Sequence, residues 1–159
     1  MSSSRIVLAA SLLLFTAACF NYSKFLAAER NMLSRVAQSG LAPEQKMDSL
    51  LASSVRLMDA ALKPINPVKG GKLVAKYFNQ NEAALEAISR QVNTEFSRMS
   101  LLDQGVFTAN LLRKPYGRQF AELYPKFKKK YKQVKTATRF IGFFGKAFGK
   151  LGKLADLIG

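Results

Sequence analysis

Apolar residues recur along most of this chain at steps of three and four, the period of a helix buried on one side. No stretch alternates apolar and polar residues long enough to make a strand, so the pattern predicts an all-α fold. A first helix is expected over residues 23–38, closed by Gly40, a residue suited to the left-handed turn that ends helices. Pro43 then takes the position that proline favours at a helix start. Met47, Leu50, Leu51, Val55, Met58 and Leu62 fall on one face of this second helix. Pro64-Ile65-Asn66-Pro67, followed by Gly70-Gly71, reads as the one clear loop. Gly70-Gly71-Lys72 lacks the spacing of a phosphate loop and follows no strand, so it reads as a connection. A third helix is expected over 73–99, restarting near Asn79-Gln80-Asn81, with Leu85, Ile88, Val92, Phe96 and Met99 as its buried stripe. Ser100 with Asp103 forms a capping box for a fourth helix over 101–112. A short segment, 117–124, leads to Pro125, which is expected to open the last helix. Three or four helices joined by short connections make a small antiparallel bundle.

The N-terminus departs from this pattern. Residues 6–20 are apolar apart from Ser11 and Thr16, a run of 15 residues after Arg5. A comfortable membrane span needs about 20. One early Arg, an apolar stretch and the small residues Thr16-Ala17-Ala18 read as a secretory signal peptide, with an uncleaved anchor as the alternative. The segment Phe15-Thr16-Ala17-Ala18-Cys19 resembles a loose bacterial lipobox, with Thr16 where leucine is usual. That resemblance implies lipidation of Cys19, which would fix one end of the protein in a bilayer. The other reading is a small apolar Cys within a discarded leader. Asn21-Tyr22-Ser23 matches an N-glycosylation sequon beside the expected cleavage point.

Composition narrows the chemistry. The 159-residue chain holds one Cys and no His. An intramolecular disulfide, a multi-Cys metal site, a Ser-His-Asp triad, a Cys-His pair and a His-based zinc site are therefore excluded. Glu82, Glu86 and Glu95 lack the Glu-x-x-His partners of a di-metal bundle and read as a solvated helix face. The expectation is a non-enzymatic protein with no cofactor and no metal.

The net charge of +15 is unevenly placed. Residues 20–112 hold eleven bases and eight acids, an ordinary balance. Residues 113–153 hold thirteen bases against Glu122 alone. A basic tail on a near-neutral body reads as a docking element. Three regions are expected: a signal or lipoprotein leader over 1–19, a bundle over 20–116 and a basic amphipathic helical region over 117–159. Lys126, Lys128, Lys129, Lys130 and Lys132 form a basic patch at the start of that region.

The end of the chain is better organised still. At about 100° per residue, Phe140, Phe144, Ala147, Phe148, Leu151, Leu154, Ala155 and Ile158 share one broad face. Lys135, Arg139, Lys146, Lys150 and Lys153 gather opposite, beside a stripe made by Gly142, Gly145, Gly149 and Gly152. Each interior Gly costs about 1 kcal/mol relative to Ala, so this helix needs a surface against which to order. Small residues on one stripe also permit close approach of a second helix, hence self-association. The run GFFGKAFGKLGK resembles the cationic amphipathic host-defence peptides of the magainin and cecropin type. The resemblance implies membrane contact by Phe140, Phe143, Phe144, Phe148 and Leu151, with Lys146, Lys150 and Lys153 attracting headgroups. The alternative is that the apolar face packs on the bundle and the lysines face water.

Three partner classes follow for a secreted or envelope protein. The first is an anionic membrane surface, bound and perturbed by the C-terminal helix. The second is an acidic protein or glycan. Basic helical gamete-recognition proteins of marine molluscs share this general character, though no motif, and an envelope-complex subunit fits equally. The third, nucleic acid, has Lys126 to Lys135 in its favour but no recognition motif, and a secretory leader argues against it.

Overall fold

The computed structural model describes residues 21–134, 139 and 141–143. The leader and Cys19 lie outside the described residues, as do Phe140, Phe144, Lys146, Phe148, Lys150, Leu151 and Lys153. Among the described residues there are five bounded helices and no strand: α1 (Tyr22–Gln38), α2 (Pro43–Leu62), α3 (Pro67–Arg98), α4 (Leu101–Arg113) and α5 (Pro115–Tyr131). Residues 139 and 141–143 are also helical. The protein is all-α, as the period of its apolar residues predicts.

Paired contacts fix the directions of the helices. Glu29 of α1 meets Ser53 of α2, Ser53 meets Tyr77 of α3, and Gln91 of α3 reaches both Lys46 of α2 and Ala37 of α1, so each of these helices reverses the one before it. The α3–α2 pairing continues to Lys46, whose Nζ donates to Gln91 Oε1 at 2.6 Å. α5 runs parallel to α2. Lys114 pairs with Glu44 near the start of both helices, and the Tyr131 hydroxyl donates to the Ala61 carbonyl near their ends. α4 is the short element between α3 and α5, and its Phe107 packs edge-on against Phe96 at 5.5 Å between ring centroids. α2 is the central helix. Leu50, Leu57, Met58 and Ala61 are wholly buried there, among residues from every other helix.

Each helix start has a local cause. Asn21 Oδ1 accepts the Lys24 N–H at 3.0 Å, so the sequon asparagine caps α1. Asn66 Oδ1 accepts the Val68 N–H at 2.8 Å and Pro67 sits at the first position of α3. Ser100 Oγ accepts the Asp103 N–H at 3.1 Å, the cap expected for α4.

Three local readings are corrected. Gly70 and Gly71 belong to α3 and not to a loop. Gly70 is buried where α3 crosses the ends of α2 and α5, and a Cβ there would collide with the Tyr131 hydroxyl and the Ala61 carbonyl. The glycine is there to allow close approach. Asn79-Gln80-Asn81 does not interrupt α3, because Asn81 Nδ2 donates back to the Tyr77 carbonyl at 2.7 Å and stays within its own helix. Pro125 lies inside α5 and does not open it. An interior proline costs about 3 kcal/mol. Burial of Phe120, Phe127 and Tyr131 on the opposite face offsets this, each such side chain contributing about 1.5–3 kcal/mol.

Among the described residues Glu29 is the one acid buried in the core, only 4% exposed. Arg56 Nε donates to its Oε1 at 2.5 Å and Nη2 to its Oε2 at 3.1 Å. Ser53 Oγ donates to Oε2 at 2.5 Å. With its single proton so used, Ser53 accepts from the Tyr77 hydroxyl at 2.5 Å. The chain Tyr77–Ser53–Glu29–Arg56 joins α3, α2 and α1.

Two expectations follow. Gly70→Ala destabilises the fold by about 1–3 kcal/mol through overpacking. Gly105→Ala, on α4 with nothing within 4 Å, stabilises it by about 1 kcal/mol. Urea unfolding of both variants measures the contrast.

Burial raises the Tyr77 phenol well above its ordinary value of 10.0; the bond to Ser53 opposes this, and the Glu29 charge adds to it. The folded chain therefore keeps that proton at a pH where the unfolded chain has lost it. The associated stability is complete below about pH 10 and declines above it, by up to about 1.4 kcal/mol per pH unit. Tyr77→Phe makes the alkaline decline shallower, as measured by unfolding from about pH 8 to about pH 11.

Candidate anionic-surface interface

α5 divides its residues sharply between two faces. Phe120, Phe127 and Tyr131 form a buried seam, extended by Tyr124, which stacks on Phe120 at 5.3 Å. Phe127 and Tyr131 are 4.9 Å apart between ring centroids. On the opposite side, at about 100° per residue, Arg118, Lys126, Lys128, Lys129 and Lys132 share the exposed face. The seam fixes the rotation of α5, and the rotation presents the cations together.

The cations are not equivalent. Lys126 Nζ pairs with Glu122 at 2.8 Å and holds that carboxyl below its ordinary value. Arg118 donates Nε and Nη2 to the Arg113 carbonyl at 3.0 and 2.8 Å, closing the end of α4. Lys128, Lys129 and Lys132 are exposed and make no ion pair among the described residues. Lys130, expected in the outward patch, turns inward. Its Nζ donates to the Leu62 carbonyl at 2.9 Å and the Pro64 carbonyl at 2.5 Å. It therefore neutralises the negative end of α2, where the last carbonyls have no partner within their own helix. Its place at the edge of the α5 seam, three residues after Phe127, was the available signal.

The first described residues of the expected membrane-active segment lie against α3. Arg139 Nη2 donates to Glu82 Oε1 at 2.6 Å, and its guanidinium sits 5.5 Å from the centre of the Phe78 ring. Phe143 is half-buried, with its ring 5.9 Å from the same Phe78. Glu82 is therefore more than a solvated acid, whereas Glu86 and Glu95 do face water.

Among the described residues no group of three potential metal ligands occurs, and no helix is long and apolar enough to cross a membrane. Comparison with family models, with curated proteins and with solved structures finds no match to this chain.

The two roles of neighbouring lysines are separable. Lys130→Met keeps the aliphatic stem but removes the charge from the α2 carbonyls, and costs about 1–2 kcal/mol. Lys129→Met leaves stability within about 0.5 kcal/mol of the parent. Denaturant midpoints measure both.

Proposed function

We propose that this protein binds anionic membrane surfaces through its basic C-terminal region. The observation that carries the reading is the segregation on α5: aromatic residues anchor one side, and Lys128, Lys129 and Lys132 stand together on the other, leading into residues 139–158. In this reading α5 supplies attraction at the headgroups, about 1 kcal/mol per lysine near an anionic surface. Phe140, Phe144, Phe148 and Leu151 supply apolar contact, Lys146, Lys150 and Lys153 flank it, and Phe143, against Phe78, ties the start of the segment to α3. The glycine stripe keeps this helix marginal in water, so its ordering is coupled to burial of its apolar face, and offers a surface for self-association. The reading places the protein outside the cytoplasm after export directed by residues 1–19, either secreted with that leader removed or held at the envelope by a lipid on Cys19, and gives it no catalytic role.

A second reading, docking to an acidic protein or glycan, is favoured by one observation. Arg139 takes a carboxylate and an aromatic ring together on α3, a combination that another protein surface can also offer.

Vesicle co-sedimentation separates the two. Binding is expected to vesicles containing phosphatidylglycerol and not to pure phosphatidylcholine, and to fall on deletion of residues 139–159. Changing Lys128, Lys129 and Lys132 together to Glu weakens it by about 100-fold or more. Equal binding to neutral and anionic vesicles, or binding unaffected by the deletion, overturns the membrane reading.

A further inference from the structure

A second concentration of positive charge lies away from α5, at the start of α2. Lys46 is only 8% exposed. Its ammonium has three N–H donors, and Gln91 Oε1 takes one at 2.6 Å. Gln91 is held in that orientation by its own Nε2, which donates to the Ala37 carbonyl at 3.2 Å. No carboxylate lies within ion-pair distance of Lys46 among the described residues. A cation on a side chain this buried, with one neutral acceptor, costs stability.

Lys46 lines a cleft of about 600 Å³ between the α1–α2 turn and the last turns of α3. Arg90 and Arg98 line the same cleft, and among the described residues the only acid lining it is Glu95, which is tied to Arg98 at 3.2 Å. Arg90 makes no ion pair among the described residues. Leu41, Ala42 and Pro43 form an apolar lip on one side. The cleft thus combines the Lys46 ammonium, which has donors left over beside Gln91, the guanidinium of Arg90 and an adjoining apolar wall.

We propose that this cleft is a binding site for a phosphate ester, with the phosphate taken by Lys46 and Arg90 and the organic portion resting on Leu41 and Pro43. The phosphate satisfies the open donors of Lys46 and supplies the counter-charge that the fold withholds. Arg90 adds a planar fork matched to phosphate oxygens. The ester can be a lipid headgroup or a free small phosphate, since both present the same group. The site is independent of residues 139–158 and stands whether or not they bind membranes.

The test is calorimetric titration of the full chain with inorganic phosphate, with glycerol 3-phosphate and with dihexanoyl phosphatidylglycerol below its micelle concentration, at constant ionic strength. Saturable binding is expected for at least one of them. A preference for the lipid assigns the headgroup source, and a preference for the soluble ester assigns a free phosphate. Lys46→Gln and Arg90→Gln each weaken binding by about tenfold or more, whereas Lys128→Gln on α5 leaves it unchanged. Arg90 is exposed, so its variant folds even where loss of Lys46 disturbs the core. Absence of saturable binding to all three ligands overturns the proposal. So does equal binding by the parent chain and the Arg90 variant, or a loss caused equally by Lys128→Gln.

Discussion

Glu29 sets a negative charge where α1, α2 and α3 meet, and the arrangement of those helices follows from the need to satisfy it. A buried carboxylate without partners is not tolerated. Its two oxygens accept three bonds, two from Arg56 and one from Ser53, and Ser53 in turn accepts a hydrogen bond from the Tyr77 hydroxyl. Apolar contacts tolerate sliding and rotation at modest cost; a chain of short bonds across three helices does not. The Arg56 side chain remains 40% exposed, so the pair is hydrated on one side and the desolvation that makes buried ion pairs costly is reduced. The network thus fixes the register of α1 and α3 on α2, and the surrounding Leu and Met side chains fill the space that this register defines.

The other half of the fold is registered differently. α5 is held on α2 by an aromatic seam, by Tyr131 reaching the Ala61 carbonyl past Gly70, and by Lys130 at the end of α2. All of these lie on the inner side of a helix whose outer side carries Lys128, Lys129 and Lys132. The basic surface is therefore a product of core packing. A change at Gly70 or Tyr131, both hidden from solvent, alters where those lysines point without touching one of them.

Much of this is legible in the sequence, and the exceptions have physical causes. The α2 stripe and the Ser100 cap emerge directly because they rest on period and on local chemistry. Gly70-Gly71 and Pro125 mislead because both residue types commonly mark chain breaks, and only the neighbouring helices reveal that one permits close approach and the other is tolerated on an exposed face. Glu29 carries a signal that a charge-based reading passes over: it stands three residues after Leu26 and four before Leu33, on the buried stripe of α1. Lys46 likewise precedes Met47 on the inner side of α2. Lys130 differs from Lys129 only in angle around α5. A linear run of lysines does not contain that information, since it depends on where Phe127 is anchored.

The pairing of α2 with α5 joins residues 70 positions apart, Ala61 with Tyr131. Most contacts in helical proteins are nearer in sequence, which is why such proteins fold quickly. Here α1, α2 and α3 can associate as soon as residue 98 is available, but the second face of the central helix stays uncovered until Phe127 and Tyr131 arrive. A growing chain therefore passes through an interval in which Ala61 and its apolar neighbours are exposed beside a completed hairpin. For this protein the late-arriving basic helix is also the lid on the core, so the steps that complete folding and the steps that display the lysine surface are the same.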